Sequence, residues 1–223
     1  MESFSFKNIS SNTLGIVVKN MPLVPRAEKN IESVVVNGRN GNLHIDNGNY
    51  LSKNYTLECI LTNKEHIDDI CSLFQGTGEL ILSKYPNRYF KATIKNQIDF
   101  KKYLNILNEF PLLMELDPIA YSTSEVTETI NSSGTITVGG NIEVNPKITI
   151  TGTGTVTLNG YSLEVTETGI TIDCELMECT KNSLSKNNKV TLDEFPKLSV
   201  GNNTITLGNG ITSVEVKYRA GWL

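Results

Sequence analysis

The chain has little with which to do chemistry. Its 223 residues include two histidines, one tryptophan and four cysteines. His44 and His66 lie far apart in sequence, and neither stands in a recognised nucleophile setting such as a strand–turn–helix elbow. The paired carboxylates, Asp68-Asp69 and Asp193-Glu194, are consecutive, so on a helix or strand they diverge. No catalytic residue is therefore assigned, and the expectation is a protein that is not an enzyme. The nearest cysteine pair, Cys174 and Cys179, is five residues apart with no second pair to complete four ligands, so no metal and no cofactor is expected. No apolar run reaches the ~18 residues of a membrane helix. The start, Met1-Glu2-Ser3-Phe4-Ser5-Phe6-Lys7, lacks the basic and apolar segments of a secretory signal, so synthesis in a cytoplasm without a membrane partner is expected. No basic stripe offers itself to nucleic acid.

What is present changes character at Asp117-Pro118. Residues 1–118 carry 13 Lys/Arg and 13 Asp/Glu; residues 119–223 carry 7 and 11, so the net charge of −4 falls wholly in the second half. Aromatics and one helix signal mark the first stretch. Thr, Gly, Asn and alternating β-branched residues mark the second. Two domains, 1–118 and 119–223, are expected, each near the common domain size.

The first domain reads as α+β. Phe4 and Phe6 share one side of a short strand, and Leu14 to Val18 forms another. Two prolines in Met21-Pro22-Leu23-Val24-Pro25-Arg26 remove backbone donors and suit an extended arm. Asn37-Gly38, Asn40-Gly41 and Asn47-Gly48 each predict a sharp turn with positive φ. Arg39 sits among them, where its planar fork could hold a carboxylate or carbonyls, or simply meet solvent. Tyr50 to Leu61 reads as a strand with Tyr55, Leu57, Cys59 and Leu61 inward. Asn63 is placed to cap about three turns of helix ending at Gly76, with Ile67, Ile70, Cys71 and Phe74 as its apolar stripe. A hairpin turns at Pro86-Asn87, and Leu104 to Leu116 is the last strand.

The second domain reads as a sandwich: short alternating strands every eight to twelve residues, Thr outward, Ile, Val and Leu inward. Asn159-Gly160 and Asn209-Gly210 suit two-residue hairpins. Ile170, Ile172, Cys174 and Leu176 form one inward row. Thr151-Gly152-Thr153-Gly154 precedes strand rather than helix and lacks a lysine, which excludes a phosphate loop. Tyr161, beside a turn, and Trp222, near the end, are the aromatics for an alternative reading, a carbohydrate-binding module for host-surface adhesion.

The ordered motifs resemble a known family, the distal tail protein (Dit) of long-tailed bacteriophages. An opening Phe4-x-Phe6 strand leads to Leu14-Gly15-Ile16-Val17, then to a proline-bearing stretch ending at Arg26. Val36-Asn37-Gly38-Arg39-Asn40-Gly41 is similar to the family's Gly-Arg-Asp/Asn-Gly turn, with Asn40 where Asp is frequent. Gly48-Asn49-Tyr50, Gly76-Thr77-Gly78 and Glu79 to Ala92 follow in order. Asn145 to Gly154, Ile172-Asp173-Cys174 and Phe195 to Ile205 resemble the family's galectin-like sandwich. The resemblance covers nearly the whole chain. It implies a mainly β protein: an α+β domain of antiparallel strands with one helix, then a galectin-like β-sandwich. It implies a structural part of the virion's distal tail tip or baseplate, made in the bacterial host cytoplasm. Its partners would be itself in a homohexameric ring, the tail tube protein, the tail-associated lysin or hub protein and a receptor-binding protein. Arg26, Asn37, Gly38, Arg39, Asn40 and Gly41 are then expected at the contact between copies.

Overall fold

The computed structural model describes residues 2–62, 64–95, 101–103 and 107–223. They divide into two compact units, one ending at Ala120 and one spanning Tyr121–Trp222. In chain order the first unit holds β1 (Phe4–Phe6), β2 (Ile9–Ser10), β3 (Ile16–Asn20), β4 (Lys29–Val34), β5 (Leu43–Tyr50) and β6 (Lys53–Leu61). Helix α1 (Ile67–Leu73), β7 (Thr77–Leu82), β8 (Arg88–Ile94), β9 (Lys101–Tyr103) and β10 (Leu107–Ser122) follow. The main sheet runs β2-β1-β7-β8-β10-β6-β3, with β9 against β10, while β4 and β5 form a separate two-stranded sheet. Period-2 alternation puts Tyr55, Leu57, Cys59 and Leu61 of β6 on the inner face. Register sets them opposite Met114, Leu112, Phe110 and Asn108 of β10. Phe4 and Phe6 join this core, and α1 closes it with Ile70 and with Phe74 just past its end. The Phe74 ring lies 6.0 Å from that of Phe4 and 5.8 Å from that of Phe6, a spacing at which tilted aromatic pairs attract.

Three expectations for this unit change. The helix is shorter: a 3-10 turn, Lys64–His66, precedes seven α-helical residues. Packing explains this, because Phe74 leaves the helix to reach Phe4 and Phe6, and Gly76, at φ +65, turns the chain into β7. Cys71 is exposed rather than buried; Leu73 takes its place against the core beside Ile67. Asn47-Gly48 has the expected positive φ, +74 at Gly48, but bends the chain inside β5 rather than between strands, where the register jumps from Lys29↔Tyr50 to Ile31↔Asp46 and makes a bulge. Two further expectations, the Asn63 cap and the stretch from Leu104 to Ile106, lie outside the described residues. The Asp117-Pro118 break falls inside β10, which runs on to Ser122.

The second unit holds β11 (Val126–Ile130), β12 (Gly134–Val138), β13 (Lys147–Gly152), β14 (Gly154–Leu158), β15 (Tyr161–Val165) and β16 (Ile170–Asp173). It continues with β17 (Glu178–Lys181), β18 (Leu184–Ser185), β19 (Val190–Leu192), β20 (Gly201–Leu207), β21 (Ile211–Tyr218) and β22 (Gly221–Trp222). One sheet is ordered β11-β21-β13-β16-β17-β18, the other β12-β20-β14-β15-β19. Their inward residues, among them Ile148, Ile150, Val156, Leu163, Ile172 and Val214, form one core. Thr lies on the other side of the pleat, as its alternation predicts; Thr149 and Thr171 face each other across β13 and β16 with their hydroxyls 3.0 Å apart.

Asn159-Gly160 is the expected hairpin, with Leu158 opposite Tyr161 and φ of +49 and +91 at the two turn residues. Asn209-Gly210 is not. It carries the chain from β20 in one sheet to β21 in the other, so there is no pair of adjacent strands for it to join. Thr153 makes the same crossing between β13 and β14. The two corners interlock: Thr153 N–H donates to Gly210 O (3.1 Å), and Gly208 N–H donates to Thr155 O (2.8 Å). A Cβ on Gly152 would fall on the Gly210 carbonyl, one on Gly154 on that of Asn209, and one on Gly210 on that of Thr153. The Thr-Gly-Thr-Gly run is thus where two backbones cross without room for side chains. Buried Asn203 ties a neighbouring turn: its amide donates to Ser199 O and Gly201 O at 2.8 and 2.9 Å and accepts from Asn159 and from Ser199 N–H. Gly152→Ala, at φ +111 and against backbone, is expected to lower stability by about 2 kcal/mol or more in chemical denaturation of the second unit.

Candidate functional site

The feature that sequence and fold single out together is the β4–β5 ribbon and its root. The root runs from Met21 to Glu28. Met21 and Ala27 are buried, and Val24 packs against the core, so every third residue points inward while Leu23 (71% exposed) points out. The two prolines leave carbonyls free, and the body of the unit takes them up. Tyr55 donates its hydroxyl to Pro22 O at 2.8 Å, and the Lys84 ammonium donates to Met21 O. Lys84 also bridges Glu2 at 2.9 Å. Burial, chiefly, pushes the Tyr55 hydroxyl far above its ordinary value, so it remains a neutral donor. The far side of the ribbon is tied back where Leu51 N–H donates to Glu28 O at 2.8 Å.

Beyond this root the ribbon is exposed among the described residues. Ile31, Val35, Val36, Leu43 and Ile45 are 48, 76, 39, 38 and 43% exposed. Register places Val34 opposite Leu43 and Glu32 opposite Ile45, which gathers Val34, Leu43 and Ile45 on one face. The other face carries Ile31, Ser33, His44 and Asp46. At the bulge Asp46 uses both oxygens: one accepts from Gly48 N–H at 2.9 Å, the other from Lys29 at 2.7 Å. The bond from Lys29, then that from Gly48, holds the Asp46 carboxyl below its ordinary value. The brace is therefore intact at neutral pH and is lost only as acid protonates Asp46.

The expected contact residues cluster at the ends of this element. Arg26 is exposed on the root, close enough to Lys29 for their charges to repel. Asn37, Gly38, Arg39, Asn40 and Gly41 make the tip, all exposed, with Gly38 at φ +84 and Gly41 at +82. Arg39 N–H closes the tip on Val36 O at 3.2 Å; its guanidinium has no partner among the described residues. Sequence reasoning found the tip. It missed Tyr55, Lys84 and Asp46, because the hydrogen bonds that give them roles span up to 63 residues.

The remaining candidates do not converge. His44 pairs with Ser33 across the ribbon at 2.9 Å, an exposed imidazole–hydroxyl pair whose neighbour Asp46 is already engaged by Lys29 and Gly48. His66 meets Asp69 at 3.2 Å. Tyr161 is half-buried on β15; Trp222 is half-buried on β22, next to Gly221, which bridges Gly140 and Ile142. Tyr218 is buried and donates to Glu128 and to Thr137 O, and Phe195 packs on the core, so neither offers a ring face. A dent of about 230 Å³ lies between Lys19, Glu58 and Glu109, with Lys19 bridging Glu109 at 3.1 Å. Among the described residues no group of His, Cys, Asp or Glu is arranged to hold a metal, and no helix is long and apolar enough to cross a membrane.

Comparison with known proteins gives the fold and a match to part of the chain. Residues 140–222 match the family model of the siphovirus-type tail component, C-terminal domain. The whole chain superposes on the crystal structure of Dit from phage SPP1, described as a paradigm of the hub adsorption apparatus in phages infecting Gram-positive bacteria. The TM-score is 0.79 and the identity 12%, with 100% of each chain covered. No curated protein sequence matches the chain. The chain thus has the fold of SPP1 Dit, and its residues 140–222 are similar to the siphovirus-type tail component C-terminal domain.

Tyr55→Phe is expected to cost about 1 kcal/mol, the net worth of one hydrogen bond, and to speed proteolytic cleavage between residues 21 and 28. Thiol labelling reads the cysteines directly. Burial pushes Cys59 and Cys174 up to about 12 and raises Cys179, whereas Cys71 is exposed. A thiol reagent at pH 8 should therefore modify one cysteine in the folded monomer and four in denaturant.

Proposed function

We propose that this chain is the distal tail hub of a long-tailed phage: six copies close into a ring through the first unit, joining the tail tube above to the tail-associated lysin or hub protein below. The second unit serves as a platform for receptor-binding or other baseplate proteins. The reading places the protein at the tail tip of the virion after synthesis in the host cytoplasm, with a structural and not a catalytic role. The observation that carries the ring is the β4–β5 ribbon. A two-stranded ribbon alone in water is marginal at best, and this one exposes five large aliphatic side chains. Its backbone is paired internally, so what it lacks is a surface for its faces. A neighbouring copy supplies that surface in a heterologous, head-to-tail contact, and such contacts close into rings when the rotation per copy allows. The anchored root gives the ribbon a fixed direction, which a closed ring requires. In this arrangement Val34, Leu43 and Ile45 lie against the neighbour, and Arg26 and Arg39 offer charge at the edges of the same contact.

The test replaces residues 31–49 by a short Gly-Ser link. The core does not include the ribbon, so the variant should fold, with an unchanged melting profile, and remain monomeric in light scattering where the parent forms a ring alone or with its tail partners. A variant that still assembles would end the ribbon's role. Arg39→Ala is expected to weaken assembly by about 1–3 kcal/mol, the range of an interface arginine. An unchanged hexamer at fixed concentration would remove Arg39 from the contact without touching the ring itself.

A further inference from the structure

The alternation of Ile170, Ile172 and Cys174 continues in sequence to Leu176, yet the structure does not bury it. Leu176 and Met177 are each 67% exposed, side by side at the tip of the β16–β17 hairpin. Single exposed apolar residues are ordinary. This pair differs in how it is held. Asp173, only 9% exposed, accepts from Glu175 N–H and Leu176 N–H, both at 3.1 Å, through one oxygen. Its other oxygen accepts from Lys147 at 2.8 Å. Cys174 N–H donates to Pro146 O at 3.1 Å. The tip is thus pinned to β13 and to the segment before it.

Met177 has φ +55. Six non-glycine residues take positive φ among those described: Lys7, Asn8, Asn159, Met177, Asn182 and Ser183. Three are Asn, the side chain that best tolerates this region, and Met177 alone is apolar. Folding would be served as well or better by Asn or Gly at 177 and by a polar residue at 176. The turn therefore holds two apolar side chains in water, at a cost in strain and exposure, on a rigid support.

The charge around the pair defines what fits it. Glu175 and Glu178 flank it, both exposed. The two lysines that follow on this hairpin and after it, Lys181 and Lys186, are held by Glu167 at 2.9 and 3.0 Å. Neither Glu175 nor Glu178 is in an ion pair among the described residues, although Glu178 lies close enough to Lys147 for their charges to attract. We infer that the Leu176-Met177 turn is a docking knob for another folded protein, one that presents an apolar socket rimmed by lysine or arginine. Met is suited to the role because its unbranched thioether adapts to the socket that receives it. Acidic flanks argue against insertion into an anionic lipid surface. This rests on the reading of the second unit as an attachment platform and names the patch that attaches.

The experiment uses particles made with the parent chain and with the double variant Leu176→Ser/Met177→Asn, their protein composition measured by quantitative mass spectrometry. The purified double variant should melt no lower than the parent, since Asn relieves the strain at φ +55. The expected result is tails that retain this chain at parent stoichiometry and lose more than tenfold of one other tail-tip protein. Charge reversal, Glu175→Lys/Glu178→Lys, should lose the same protein with the apolar pair intact. Unchanged composition in the double variant overturns the knob, and loss in the double variant without loss on charge reversal overturns the basic socket. Cosedimentation of the parent, but not the double variant, with phosphatidylcholine–phosphatidylglycerol vesicles would overturn the protein partner in favour of lipid. Parent particles that lack this chain altogether would fail the tail-hub reading itself, and the knob with it.

Discussion

Two paired strands can satisfy each other's backbone, but they cannot cover their own faces. That constraint governs the first unit. The curled main sheet and α1 bury a continuous core from Phe4 to Ala120, and β4–β5 contributes nothing to it. The ribbon is held at its root through the carbonyls of Met21 and Pro22, the inward side chains of Met21, Val24 and Ala27, and the Leu51–Glu28 hydrogen bond. The prolines contribute twice to that attachment: they stiffen the path and leave carbonyls without competing neighbours. What results is a directed element whose aliphatic surface is left exposed. In the proposed ring, burying that surface against a neighbour would be worth roughly 25 cal/mol per Å², the same driving force as in a core.

The second unit shows strain used in two opposite ways. At Gly152, Gly154 and Gly210 the positive φ values cost little, because glycine has no Cβ, and they let two corners between sheets cross at backbone distance. That contact stabilises the sandwich. At Met177 the same backbone region is occupied by a large apolar residue that is mostly exposed. A buried carboxylate, Asp173, is engaged to keep that turn in shape. Strain that the packing does not require belongs to function more often than to folding.

Local signals were legible where the chemistry is local. The period-2 rows of β6, β13 and β16, the Pro86-Asn87 turn and the Asn159-Gly160 hairpin could be read directly, since each depends on neighbours a few residues away. The tip, Asn37 to Gly41, was legible for the same reason. The failures share a cause. Asn209-Gly210 and Asn47-Gly48 carry the same dipeptide as Asn159-Gly160, yet one is a corner between sheets and the other a bulge. An Asn-Gly pair fixes a bend in the backbone; which strands flank it depends on partners far along the chain. Leu176 broke its row because the strand stops at Asp173, where the side chain turns back to cap the loop. Cys71 left the helical stripe because the face packed on the core runs through Ile67, Ile70, Leu73 and Phe74, a choice made by segments far along the chain.

By itself the amino-acid order determined the β class, the single helix, the change in composition along the chain, the arm's turns and the absence of any local catalytic pattern. These follow from side-chain alternation and turn preference, which act over two to four residues. Tertiary structure alone decided that the arm's faces remain uncovered, that its root is tethered by Tyr55 and Lys84, that two glycine corners interlock and that a Leu-Met pair stands in solvent. Burial and hydrogen bonding between distant segments have no local signature: whether a side chain is inside depends on what the rest of the chain leaves room for.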